Sequence, residues 1–529
     1  MKSSYIDYQD TLSFSKMLID YLNGSDSLRE FYDLPPDLKG FQEAIAQHPE
    51  VEHRGLLVKE LFKQYNGLIA ESSAVGKNIQ SLSEKNTYTV TTGHQVNLFT
   101  GPLYFIYKIV STIKLCQQLK QQFPDCNFVP IYWMATEDHD FEEINFVKLY
   151  GKKIQWDTES YGAVGRLKLD DIKNTVEQYT AALGLSPHAD KLRDIVSKAY
   201  LEHDTLAQAT RYLVHQLFHE SGLVIVDADS KDFKSVFTPY IKKDIVEQIS
   251  YKNVSATDEL LQERGYKTQV FTREVNFFYL HEGKRSRLVL EGKKFKVFNQ
   301  EIEFTEDEIL QEIDRFPEKF SPNVIMRPVY QEVLLPNLAY IGGGAEVAYW
   351  LQLKSTFQEL NVTFPILIPR NSAMVMNKKT AEKIFRLDFS FKSIFKSEDV
   401  LKSEFVKRTT KHRLNLNDEW LEINGVFSKI KLRAHKIDPT LSQSTDAVKA
   451  RLKKSIKNLE KKLLRAEKKN HAEALIQIGR VKEQLFPDGV LQERVENFAP
   501  YYLRYGDDFI KDLLKHFQPL DFQFTVLYK

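Results

Sequence analysis

The segment TYTVTTGHQVNLFTGPLYFIYKIVSTIKLCQQLKQQFPDCNFVPIYWMA, residues 87–135, restricts the fold more than any other stretch of the chain. TYTVTTG is a β-branched strand, and NFVPIYWMA is an apolar one. Between them LYFIYKIVSTIKLCQQLKQQ reads as a helix, with Pro102 at its first position and Thr100 or Gly101 at the cap. Strand, helix and strand in that order make a right-handed βαβ crossover. The loops TTGHQVNLFTGP and TEDHDFEE then lie at one carboxyl edge of a parallel sheet, where such sheets bind ligands. The helix start adds backbone N–H groups aimed outward, which suits a phosphate or a carboxylate.

The rest of the chain divides around this unit. Residues 1–85 read as helices with polar joints, so 1–150 holds those helices and the first half of an α/β core. In 151–320 the texture alternates like antiparallel hairpins, as in KKIQWDTESYGAVGRLKL and QVFTREVNFFYLHEGKRSRLVLEGKKFKVFNQEIEF. This is an insertion, with GLVIVDAD as one core strand inside it. The α/β texture resumes in 321–440, where LAYIGGG ends a segment in glycines, AEVAYWLQLKSTFQEL reads as one helix and FPILIP as a buried strand. Two anion-friendly helix starts are thus expected at one crevice. In 441–486, Val448, Leu452, Ile456, Leu459, Leu463 and Ala466 settle into heptad spacing among many Lys and Arg residues. That seam predicts an antiparallel helical hairpin or a coiled-coil arm and requires a partner helix. FQFTVLYK in 487–529 is expected to return as a closing strand.

Composition limits the function classes. A chain of 529 residues with 42% hydrophobic and 12% aromatic residues can build two or three domains with substantial cores. Lys and Arg number 73 against 72 Asp and Glu, so no global field recruits nucleic acid or an anionic membrane. The two cysteines, Cys116 and Cys126, fit a reduced compartment rather than a disulfide scaffold. The start MKSSYIDYQDTLSFSKMLIDYL is no signal peptide, and no run of about 18 apolar residues occurs, so the expected location is the cytoplasm.

Three clusters carry candidate chemistry. Around His94, Gly93 allows close approach of a ligand, the imidazole can donate to an oxyanion, and Gln95, Thr100, Gly101, Tyr104 and Lys108 follow. The second cluster, TEDHDFEE, sets Glu137, Asp138, His139 and Asp140 behind Trp133. Crowded carboxylates raise one another's pKa unless a cation intervenes, so Lys108, an arginine, a metal or an amine substrate is expected beside them. In an extended chain Asp138 and Asp140 face one way, suited to gripping an ammonium, while His139 faces the other and moves a proton. No recognised metal spacing is present, and no metal ligand is assigned. The third cluster, RPVYQEVLLPNLAYIGGGAEVAYW, offers Gln331, Glu332, Gly342, Gly343, Glu346 and Tyr349, and Arg370 in LIPRNS is the natural cation for a phosphate or carboxylate. The glycines are neither a Walker loop nor a dinucleotide fingerprint.

TGHQVNLFTGPLYFIYK, PIYWMATEDHDFEEI and RPVYQEVLLPNLAYIGGGAEVAYWLQL together resemble the BshC family, cysteine ligases that add cysteine to glucosaminyl-malate in bacillithiol biosynthesis. The resemblance covers most of the chain. It implies a Rossmann-like core akin to class I nucleotidyl transferases, connective-peptide insertions and a C-terminal coiled coil that makes a homodimer. Cysteine and glucosaminyl-malate are the implied substrates, ATP or ADP the nucleotide to consider, and magnesium is left open. Two departures stand out: Val96-Asn97 follows the glutamine where Pro-Gly is expected, and the lysine-rich second signature of adenylating enzymes is matched only by Lys378 and Lys379. Two rival readings are a nucleic-acid-binding relative of aminoacyl-tRNA synthetases and a non-catalytic coiled-coil scaffold.

Overall fold

A computed structural model describes residues 1–529. Its centre is a five-stranded, all-parallel sheet of β1 (Thr87–His94), β2 (Asn127–Met134), β3 (Val224–Asp227), β4 (Asn337–Gly342) and β5 (Ile366–Pro369). The strand order is β5-β4-β1-β2-β3. This is the order of a mononucleotide-binding half continued past its first strand, with the reversal of direction between β1 and β4. The mixed α/β fold expected above is therefore present, and the strand in GLVIVDAD is the sheet edge.

Every residue of β1 is buried, although it carries four threonines. The hydroxyls of three of them are satisfied by the neighbouring strand: Thr89 and Thr91 donate to Asn337 Oδ1 at 3.0 and 2.8 Å, and Thr92 donates to the Ile341 carbonyl at 2.8 Å. Buried hydroxyls with partners are tolerated, and here they also bind β1 to β4 side by side. Helix α1 (Tyr104–Gln122) packs Leu115, Cys116 and Leu119 against Val90 and Phe128 of the sheet. Helices α2 (Lys231–Glu247) and α3 (Met326–Leu334) and the short α4 (Gly344–Trp350) follow along the chain.

Residues 1–9, 13–374 and 491–527 form one compact unit, and 10–12, 375–490 and 528–529 a second. In the first, the insertion contributes a five-stranded antiparallel sheet that includes Phe277–His281, Lys284–Glu291 and Phe320–Pro322. KKIQWDTESYGAVGRLKL is less regular than its alternation suggests. Phe146–Leu149 and Lys152–Gln155 make a hairpin, and the remainder is turns and loop. The N-terminal stretch opens on a strand, Lys2–Asp7, beside the C-terminal strand Gln523–Tyr528, which is the predicted closing strand. The single helix expected over 345–360 breaks at 351–353, where the Gln352 N–H bonds to the Tyr349 carbonyl and the Leu353 N–H to the Trp350 carbonyl. The buried Gln352 side chain at that break accepts from the backbone N–H groups of Gln269 and Val270.

The second unit supplies the partner helix that the heptad seam requires. Helix α5 (Asn417–Ile437) lies antiparallel to α6 (Leu441–Asn470), with Lys431 paired to Asp446 at 2.5 Å and Lys453 over the Trp420 ring at 5.5 Å. Helix α7 (Ala472–Leu485) follows the phase shift and buries Leu475, Ile478, Val481 and Leu485, whereas α5 and α6 bury nothing.

Candidate active site

The carboxyl ends of β1, β2 and β4 open into a cavity of about 530 Å³, within the size range of small-molecule sites. Gly93, His94 and Gln95 come from β1 and its loop, Trp133, Glu137, Asp138 and His139 from the end of β2, and Tyr104 from the start of α1. Glu346 and Tyr349 come from α4. Residues from three distant clusters thus line one cavity.

His94 is buried, stacked on Phe105 at 5.0 Å, and its Nε2 has no hydrogen-bond partner. Burial, reinforced by the positive charges of Lys108 and Arg370, pushes its pKa well below the ordinary value, so the ring is neutral at physiological pH. The imidazole lines the cavity, and its Nε2, itself buried, keeps an unfilled hydrogen-bonding position.

The acidic cluster behaves as two different carboxylates. Glu137 pairs with the buried Lys234 at 2.5 Å. Burial raises its proton affinity, with Lys234 opposing. For Asp138 burial acts in the same direction but is outweighed by hydrogen bonds from His139 and Gln95, which hold the carboxyl far below the usual range. Its Oδ1 accepts from the His139 N–H at 2.8 Å and its Oδ2 from Gln95 Nε2 at 2.8 Å. The extended geometry expected for this stretch is absent, because a turn at Thr136 and Glu137 redirects the chain. Asp140 is exposed and does not line the cavity, so it makes no pair with Asp138. His139 Nδ1 accepts from Arg285 at 2.9 Å, which leaves only its other nitrogen for proton transfer.

The cations expected beside these acids are Lys234 and Arg285, not Lys108. Lys108 is buried and donates to Glu346 at 2.6 Å and to the Gly93 carbonyl at 2.7 Å, tying β1 to α4. Glu346 accepts in addition from the Gly343 N–H at 2.8 Å, so its carboxylate already fills the first turn of α4. Gly342 and Gly343 thus present no free anion cradle, and neither lines the cavity. The start of α1 is taken too. The Leu103 N–H bonds to the Glu496 carbonyl at 2.7 Å, and buried Asn497 donates to the carbonyls of Phe99 and Gly101 at 2.9 and 2.7 Å. Phe99, Thr100 and Gly101 all have positive φ (48°, 71° and 62°), a strained run that this clamp holds in place. Thr100 and Gly101 therefore lie outside the cavity.

Three further expectations are corrected. Arg370 is buried in an ion pair with the fully buried Glu493 at 2.7 Å and is not available to a ligand. Gln331 and Glu332 stand behind the wall: Gln331 accepts from Arg327 at 3.1 Å and donates to Glu332 at 2.7 Å. Burial pushes the Glu332 carboxyl up to about 8 against the hydrogen bonds from Gln331 and Asn337.

Family models match both parts of the chain: the BshC N-terminal Rossmann-like domain of bacillithiol biosynthesis over residues 1–371 and the BshC C-terminal coiled-coil domain over 373–529. The chain belongs to the BshC family. A relative from Flavobacterium johnsoniae, named "Putative cysteine ligase BshC", is 43% identical over the full length of both chains. Relatives of the same name from Flavobacterium psychrophilum and Christiangramia forsetii are 43% and 40% identical, covering all of this chain and 99% of theirs. No helix is long and apolar enough to cross a membrane.

The BshC cavity also contains residues that the sequence reading passed over: Arg273, Phe278 and Arg285 from the insertion, Arg327 from α3 and Tyr340 from β4. Arg327 lies in RPVYQEV directly after the buried Met326, and nothing local marks it as cavity-facing. Gly93 is explained by the same neighbours, since a Cβ there meets Tyr340 OH at 3.2 Å and an Arg327 nitrogen at 3.4 Å.

Proposed function

We propose that this cavity joins the carboxyl group of L-cysteine to the amine of glucosaminyl-malate, forming the amide that the names of its relatives imply. The observation that carries the reading is the unpartnered, neutral His94 facing the same 530 Å³ space as two carboxylates of opposite proton affinity. Amide formation develops negative charge on an acyl oxygen and releases a proton from the attacking amine. His94 donates to that oxygen, as a preorganised neutral donor does without reorganising. Asp138, held ionised, attracts the ammonium form of the amine; after that ammonium has given one proton to solvent the neutral nitrogen attacks the activated acyl carbon, Glu137, with its raised proton affinity, accepts the second proton, and the C–O bond to the activating group breaks with its electron pair leaving on that oxygen. Trp133, buried at the end of β2, supplies an apolar wall that limits water.

A carboxylate needs activation before an amine can displace its oxygen. The two predicted helix starts do not fit the phosphates of ATP or ADP, because Glu346 fills one and the Glu496 carbonyl takes the Leu103 N–H at the other. Purified protein with cysteine, glucosaminyl-malate, ATP and magnesium, each omitted in turn, is expected to give the cysteinyl amide by mass spectrometry in the complete mixture. A folded protein that gives none removes the reading.

A homodimer through the hairpin is part of the same proposal. Leu421, Val426, Ile430, Leu432 and Ile437 of α5 and Val448 and Leu459 of α6 remain exposed, which a second copy of the hairpin would cover. Sedimentation of the intact chain at twice its mass supports this, and a strict monomer at assay concentration opposes it. Free Cys116 and Cys126 suit the cytoplasm, and small-molecule substrates leave no role for nucleic acid.

A further inference from the structure

The cavity carries a charge imbalance that the proposed reaction leaves unused. Its lining includes Glu137, Asp138 and Glu346 together with Arg273, Arg285 and Arg327. Directly behind stand Lys234 and Lys108, paired with Glu137 and Glu346. Among these groups five cationic side chains meet three carboxylates. On the β2 side the charges balance, Lys234 against Glu137 and Arg285 beside Asp138. The excess of two belongs to Arg327 and Arg273.

Arg327 donates only to uncharged oxygens, Gln331 Oε1 at 3.1 Å and Tyr349 OH at 3.2 Å. Glu346, the carboxylate whose field it feels, is already committed to Lys108 at 2.6 Å. A guanidinium cannot shed its proton, and in a desolvated wall it is stabilised by an anion. Arg273 sits at the mouth, exposed and without an ion pair, on a segment (267–276) that has no regular secondary structure. That segment is nevertheless held at both ends. Gln352 binds the backbone of Gln269 and Val270, and buried Asn276 donates to Thr272 Oγ1 at 3.1 Å and to the Arg273 carbonyl at 2.8 Å. Between the anchors Phe271 borders the same cavity and is 85% exposed.

We propose that Arg327 and Arg273 bind the two carboxylates of a diacid, the malyl end of the acceptor, and that Phe271 offers its ring to the adjoining sugar. The choice of this diacid rests on the proposed reaction. Two unpaired cations match two carboxylates, and Arg forks are suited to such pairing. Cysteine brings a single carboxylate, and that group is the reacting one. Gly93 belongs to this arrangement, because its missing Cβ leaves the space that Arg327 occupies.

The test is calorimetric binding of L-malate, glucosaminyl-malate and cysteine to the full chain, with KM and kcat measured alongside. Arg327→Gln is expected to weaken both malate and glucosaminyl-malate by about 10- to 100-fold, as loss of a charge-assisted bond does. Arg327→Lys keeps the charge without the fork and is expected to fall between. Arg273→Ala, at an exposed position that does not threaten folding, is expected to raise KM for glucosaminyl-malate while cysteine KM holds. Phe271→Ala is expected to weaken glucosaminyl-malate and leave malate unchanged. Wild-type affinity for malate in both arginine variants, or equal losses for cysteine and the diacid, overturns the site. Malate binding without amide formation keeps the site and removes the reaction, whereas amide formation at unchanged KM in the Arg273 and Arg327 variants does the reverse.

Discussion

The surroundings of Arg370 and of Arg327 form an instructive pair. Both arginines stand at the carboxyl rim of one sheet, and both are charged. Arg370 is 6% exposed and meets a carboxylate, Glu493, that is 0% exposed and also accepts from Ser372 and the Ala373 N–H. Arg327 meets an amide oxygen and a phenol and opens on a cavity. Residue type and position at the rim do not separate them. What separates them is whether the fold itself supplies the anion. A closed ion pair belongs to the scaffold, and an open one is addressed to a ligand. His94, with Nε2 unfilled, falls on the open side.

The comparison is most exposed to failure at its closed member. Arg370→Met strands Glu493 without a counter-charge, and a loss of about 3–5 kcal/mol in denaturant unfolding is expected. Arg327→Met strands only neutral partners and is expected to change stability by about 1 kcal/mol. Equal losses in the two variants would erase the distinction.

On the open side, His94→Ala is expected to lower the rate of amide formation by about 10² or more while the unfolding transition stays near that of the wild type. Near-normal turnover by a folded variant removes His94 from the chemistry.

Glu332 sharpens the contrast, because a carboxyl with neutral partners can take up a proton where an arginine cannot lose one. Its pKa is raised to about 8 in the folded chain by burial. The folded state therefore binds a proton that the unfolded state has released, and stability falls as pH rises from the ordinary carboxylate range through about 8. Glu332→Gln removes that titration. Thermal unfolding at about pH 5 and about pH 8 is expected to show the variant gaining about 2 kcal/mol on the wild type across this range, allowing for partial exposure. Parallel pH curves would show that the wild-type carboxyl ionises normally.

The smallest effect is expected at Gly93. An alanine Cβ meets Tyr340 OH at 3.2 Å and an Arg327 nitrogen at 3.4 Å, contacts that a few tenths of an ångström relieve. Gly93→Ala is expected to raise KM for glucosaminyl-malate several-fold, with stability changed by less than about 1 kcal/mol. An unaltered KM would mean that Arg327 tolerates displacement and does not anchor the substrate.

Much of this site was legible before folding. TYTVTTGH and NFVPIYWM are β1 and β2, and LYFIYKIVSTIKLCQQLKQQ contains α1, because alternation, β-branching and helical periodicity act over a few neighbouring residues. Their crossover then dictated that His94 and Glu137 share a rim. The assignment of charges was not legible. On paper Lys108 was the lysine expected beside the acids, whereas the one that pairs with Glu137 is Lys234, 97 positions away in the chain. The helix starts misled for a related reason. A free N-terminus invites an anion, but the Glu496 carbonyl takes the Leu103 N–H from a distant part of the chain and Glu346 folds back onto Gly343.

By itself, then, the order of residues determined which segments become strands and helices, the direction of the βα crossover and the family to which the chain belongs, since each follows from short-range pattern and motif. Tertiary structure alone decided which charged groups are neutralised internally and which remain open. That outcome depends on burial and on partners brought together from hundreds of residues away, and electrostatic energy in a desolvated interior is governed by distances that no local pattern encodes.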